Sequence, residues 1–101
     1  MIGRIWTGRT RAADADTYYQ YLLATGLRDY AATPGNRGVH VLRRIDGDVA
    51  EFTLITFWES WDAITAFAGP NPEVAVYYPE DDRFLLSKEP HVTHYDVLSV
   101  E

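Results

Sequence analysis

An α+β fold is predicted, with two helical regions laid on one antiparallel sheet, and three observations predict it. Runs near both ends and in the middle of the chain alternate apolar and polar residues at the two-residue period of a strand. Between them, two stretches repeat apolar residues every three or four positions, as an amphipathic helix does. An Asp46-Gly47 dipeptide then separates two of the strand-like runs, where a hairpin needs its turn. The resulting order is β-α-β-β-α-β, over one expected domain spanning residues 1–101.

Each element has its own signal. "IGRIWTGRTR" alternates and is rich in β-branched and aromatic residues, so a strand is expected from about residue 2 to 11. In "AADADTYYQYLLATG", Asp14 or Asp16 can cap a helix, and Ala15, Tyr18 and Leu22 share one stripe. Gly26 can end that helix, although "LRDYAA" can add a further turn, and "TPGNRG" has the composition of a loop. A two-residue type I′ turn at Asp46-Gly47 would pair Ile45 with Asp48, Val41 with Phe52 and His40 with Thr53. One face would then carry Val39, Val41, Phe52, Leu54, Thr56 and Trp58, and the other His40, Leu42, Thr53, Ile55 and Phe57. In "SWDAITAFAG", Ser60 is the expected N-cap, Asp62 sits in the first turn, and Trp61, Ile64 and Phe67 or Ala68 form the apolar stripe. Gly69-Pro70 stops it, "NPEVAVYY" reads as a second helical piece ended by Pro79, and "HVTHYDVLSV" reads as the last strand.

Short connections and right-handed crossovers make this order a ferredoxin-like sandwich, with helices over one face of a four-stranded sheet. Both faces of the hairpin are apolar, yet the helices suffice for one. A second copy of the same sheet is the simplest cover for the other, so a homodimer is expected.

Composition narrows the function classes. The net charge of −6, from 15 acids against nine bases, argues against nucleic acid and against an anionic membrane surface as partners. With no cysteine, disulfides, zinc thiolates and thiol catalysis are excluded. Arginines interrupt every short apolar run of the start, so no signal peptide is expected, and a cytoplasmic location is. Seven Tyr, four Phe and three Trp are enough rings to fill a core and line a small-molecule pocket.

The element order, the "LITFWESWDAITAF" passage from third strand into helix, and the aromatic segment after it resemble the antibiotic biosynthesis monooxygenase family over nearly the whole chain. The resemblance implies a dimeric α+β barrel, in which two four-stranded sheets close on each other. It also implies oxidation of flat phenolic or anthrone-like compounds by O₂ with no metal, flavin or other cofactor, the deprotonated substrate itself reducing oxygen. Another branch of that family degrades heme, using an asparagine on the first strand, a tryptophan on the second helix and a histidine after it. Those positions fall near Thr7, Phe67 and Tyr77, none of which matches, so heme handling is the weaker alternative.

The candidate residues follow from these readings. His91 and His94 have H-x-x-H spacing, but on a strand they point to opposite faces, so no metal site is expected there. Glu80, Asp81 and Asp82 read as a solvated turn after a helix end. His40, Tyr77 and His94 are the candidates for catalysis: titratable or hydroxylated groups placed near apolar surface. Asp96, two residues from His94, would raise its pKa if the two touch. Trp6, Trp58, Trp61, Phe67 and Tyr78 are the rings expected to hold a small aromatic ligand. All of these also have a structural reading as core or interface residues. A roomy pocket with a histidine or tyrosine hydroxyl facing inward would favour the enzyme. A pocket filled by the protein's own rings would favour a non-catalytic binding or structural homodimer.

Overall fold

The structure is a computed structural model and describes residues 1–101. Strand β1 (Ile2–Arg11) is followed by a short 3₁₀ turn and two helices, α1 (Ala15–Ala24) and α2 (Gly26–Ala32). Strands β2 (Asn36–Asp46) and β3 (Val49–Trp58) form the hairpin, and α3 (Trp61–Ala68) crosses back. A one-turn α4 (Asp81–Phe84) and two short strands, β4 (Leu85–Ser87) and β5 (Thr93–Asp96), complete the chain. The sheet runs β2-β3-β1, and β4 and β5 share the far edge of β1. This is the expected ferredoxin-like order, with the fourth strand in two pieces. Lys88-Glu89-Pro90 divides them, since proline has no N–H to continue a ladder.

The hairpin turn differs from the sequence reading. Gly47 and Asp48 are its central residues, and Asp46 pairs with Val49. Gly47 has φ +60° while no other residue type takes a positive φ, which is the type II′ pattern with glycine first rather than type I′. Val41 therefore pairs with Leu54 and His40 with Ile55. The slip is two residues, and side chains alternate with period two, so each residue keeps its expected face.

That parity sorts the sheet cleanly. Along β3 the residues Ala50, Phe52, Leu54, Thr56 and Trp58 are buried under the helices, while Glu51, Thr53, Ile55 and Phe57 are only half-buried. Ile2, Arg4, Trp6, Gly8 and Thr10 of β1 join the helix side. The opposite face, carrying His40, Leu42, Ile5, Ile55, Phe57 and Tyr95, has no helix over it.

On the helix side, Ala15, Tyr18 and Leu22 are the buried residues of α1, as their spacing predicts. Neither Asp14 nor Asp16 caps the helix; they bind Arg11 and Arg43 instead. Thr25 divides the helical region, its hydroxyl donating back to the Tyr21 carbonyl at 2.8 Å. Ser60 caps α3 as expected, accepting from the Ala63 N–H at 3.2 Å, and Gly69 at φ +89° ends it.

Two further expectations are corrected. Residues 71–78 are not helical: Val74 forms an antiparallel bridge with His91, Ala75 N–H donates to the Pro90 carbonyl, and Val92 N–H donates to the Glu73 carbonyl. Pro79 restricts the backbone of the residue before it to extended conformations, and the chain over 73–75 finds its hydrogen-bond partners in the 90–92 segment instead. Asp81 is not a solvated acid. It is 4% exposed, accepting from the Tyr18 hydroxyl at 3.2 Å and from the Tyr78 N–H at 2.6 Å, while Glu80 and Asp82 stay outside.

Candidate functional site

The layer between sheet and helices is built of rings. Tyr18 packs against Phe52 and Phe84, with ring centres 5.2 and 5.5 Å apart. Tyr30, Trp58 and Phe67 form a second cluster, with spacings of 4.7 to 6.1 Å. Trp58 is fully buried and donates its indole N–H to the Thr56 hydroxyl at 2.9 Å. The Trp6 ring lies over Gly8, so close that a Cβ there would sit 2.3 Å from it. Of the five expected ligand-binding rings, Trp6, Trp58 and Phe67 belong to this packed layer, and Tyr78 is tied to Asp29 through its hydroxyl at 2.6 Å. Trp61 alone opens outward, at 49% exposure, so it is not part of the apolar stripe of α3.

The three candidate catalytic side chains do not converge. His40 pairs with Ile55 on the open face of the sheet, edge-on to Phe57, beside a broad groove lined by Met1, Arg37, Glu59 and Val100. His94 pairs with Arg4 and so projects to the helix side. Tyr77 also lies on that side, against Trp6, where its hydroxyl accepts from the indole N–H at 3.2 Å and donates to the Glu89 carbonyl at 2.5 Å. Both hydrogen-bonding roles of that hydroxyl are thus occupied. Burial raises its pKa, and the Trp6 N–H offsets part of the effect.

His94 has the environment of a proton acceptor. Its ring lies 4.8 Å from that of Trp61 and borders a recess of about 460 Å³, lined also by Glu73, Val92, Thr93, Tyr95 and Asp96. Its Nε2 is buried with no hydrogen-bond partner. Burial and then the nearby Arg4 charge hold its pKa below the ordinary imidazole value, and Glu73 partly opposes them. Asp96, which would raise this pKa if it touched His94, does not figure in the balance; it is exposed and pairs with Ile2 at the strand end.

Arg4 is the residue that sequence reasoning missed. It sits in an "IGRIW" alternation that places it on the same face as Ile2 and Trp6, and this was the available signal. Thr7, one of the three positions compared with the heme-degrading branch, lies on the other face of β1, away from Phe67 and Tyr77. No three His, Asp or Glu side chains come together as a ligand set for a metal ion, and no helix is long and apolar enough to cross a membrane.

A helix-covered βαββαβ sheet with an aromatic inner layer defines the class: the chain has the fold of the antibiotic biosynthesis monooxygenases. A Nitrosomonas europaea protein described as a candidate antibiotic biosynthesis monooxygenase superposes with a TM-score of 0.70, at 13% identity over 98% of this chain and 100% of its own. A Bacillus cereus protein of the same description gives 0.68, at 16% identity over 100% and 94%. The heme degrader MhuD from Mycobacterium tuberculosis, solved with two hemes in its active site, gives 0.62, at 18% identity over 100% and 99%. Identities this low establish the fold and leave the chemistry to the site. No family profile matches the sequence, and no curated protein matches it.

Proposed function

We propose that the protein is a cofactor-independent monooxygenase of small phenolic or anthrone-like compounds, with His94 as its base. The observation that carries this reading is a histidine that lines a recess beside the rings of Trp61 and Tyr95, with its pKa held down by burial and by Arg4 and no hydrogen-bond partner on its Nε2. An imidazole held below its ordinary pKa is unprotonated at neutral pH and ready to take a proton. The substrate lies against Trp61 and gives its weakly acidic proton to the imidazole of His94. The resulting anion passes an electron to O₂ and the two fragments combine at carbon. For an anthrone, loss of water then leaves a quinone: one oxygen atom stays on carbon and the other departs with the two hydrogens. Trp6 holds Tyr77, which ties down Glu89, and a second copy of the chain covers the open sheet face around His40. The neighbours' descriptions as monooxygenases agree with this reading.

The test is oxygen uptake on a panel of anthrones, quinols and catechols with no added flavin, heme or metal. Wild type is expected to consume oxygen, and His94→Gln to lower kcat/KM on the order of 10²-fold. Light scattering is expected to give about twice 11.5 kDa. A second reading, a non-catalytic binding or structural homodimer, has its own support in the rings that fill the sheet–helix layer. It becomes the better one if no compound of the panel drives oxygen uptake.

A further inference from the structure

A guanidinium is permanently charged and expensive to bury, so a buried arginine normally faces a carboxylate. Arg4 does not. It is 2% exposed, makes no ion pair, and its one side-chain hydrogen bond is donated from Nη2 to the Val74 carbonyl at 3.2 Å. Its Nε is buried with no partner. The ring of Phe67 lies under the charge, 5.6 Å from centroid to guanidinium carbon. A cation left over an aromatic face, with a donor unused, is a seat for an anion that the chain itself does not supply.

A second unpartnered group lies beside it. Arg4 and His94 are direct cross-strand partners on the same face, a placement that brings Cβ atoms to about 5 Å. His94 Nε2 is the other orphaned nitrogen of this region. Of the neighbours of Arg4, His94 lines the recess itself, and the other two stand close in the chain to residues that do. Val74 follows Glu73 of the lining, His94 is shared, and Phe67 stands on the same helix as Trp61, less than two turns away. Glu73 and Asp96, both exposed, put two carboxylates in the lining of the recess. They repel an anion, whereas the buried charge of Arg4 attracts one.

We infer that Arg4 and His94 together form an oxyanion seat, which takes a planar aromatic ligand by its carboxylate or phenolate group and leaves the ring system against Trp61. The choice of an aromatic body rests on the proposed oxidation. The anionic end rests on the two orphaned groups alone. In the oxidation, the seat would hold the phenolate that forms when His94 takes the proton, making Arg4 the group that favours the ionised substrate.

The test uses a ligand pair that cannot be oxidised, anthraquinone-2-carboxylate and its neutral analogue 2-(hydroxymethyl)anthraquinone, with binding read by quenching of tryptophan fluorescence. Wild type is expected to bind the carboxylate at least tenfold more tightly than the alcohol. Arg4→Met is expected to abolish that preference while leaving the alcohol's affinity unchanged, and Arg4→Lys to restore part of it. The melting temperature of Arg4→Met should be no lower than that of wild type, since an unpaired buried charge has been removed. Equal affinity of wild type for the two ligands, or binding of neither, overturns the seat without use of any variant. So does an Arg4→Met protein that keeps the preference or loses both ligands alike. Failure of oxygen uptake with the preference intact overturns the oxidation and leaves the seat standing.

Discussion

Removing the Tyr18 hydroxyl isolates one buried polar contact. Tyr18 is 1% exposed and Asp81 4%, and the hydroxyl donates to Oδ1 of Asp81 at 3.2 Å. The other carboxylate oxygen keeps the Tyr78 N–H, and a phenylalanine ring keeps the packing on Phe52 and Phe84. The loss is therefore one hydrogen bond to a charged, water-excluded acceptor, worth about 2 kcal/mol. Unfolding entropy of about 2.1 cal/mol/K per residue over 101 residues converts this to a melting temperature lower by about 10 °C. The deficit should depend on pH with a definite sign. Burial raises the Asp81 pKa above its ordinary value, and the Tyr78 N–H and Tyr18 hydroxyl pull it partly back. Without the hydroxyl it rises further. An acid with a raised folded-state pKa binds more protons folded than unfolded, so folding gains as pH falls through that pKa toward the unfolded value. The variant starts this gain at a higher pH than wild type. Its deficit should be full at neutral pH and shrink on acidification, as read by calorimetry in a series of buffers. A melting temperature lowered by less than about 2 °C at neutral pH, or a deficit that ignores pH, would refute the account of Asp81 as a buried anchor for the 77–84 segment.

Three other outcomes follow from particular residues. Gly8→Ala should destabilise by about 1–3 kcal/mol, because the new methyl meets the Trp6 indole and that ring is held by Tyr77; an unchanged denaturant midpoint would mean the ring moves freely. Gly47→Val should cost about 1–2 kcal/mol, since a β-branched residue is strained at φ +60°, although nothing crowds the site; unaltered stability would argue against the type II′ turn. If His94 is the base, kcat/KM should be level near neutral pH and fall as pH drops through a pKa below the ordinary imidazole value, and His94→Gln should lose that acid limb; a limb that persists in the variant would assign it to another group.

The sequence by itself determined what depends on period and on local chemistry. Alternation over residues 2–11 and 39–58 sorted side chains onto two faces, and the sorting survived a two-residue error in the hairpin because the error was even. Ser60, with its side chain free to accept an N–H one turn on, could be recognised as a cap without any tertiary information. Tertiary structure alone decided three things. Residues 71–78 became extended because their backbone groups found partners in 90–92, a pairing between segments that no local pattern encodes. Asp81 went inside because a tyrosine 63 residues away offered it a hydroxyl; its neighbours Glu80 and Asp82, alike in sequence, stayed out. His94 and Arg4, separated by most of the chain, became neighbours only through the antiparallel register of β1 and β5. Local propensity is read over a few residues. A charge left unpaired behind a recess exists only once distant strands have been laid side by side.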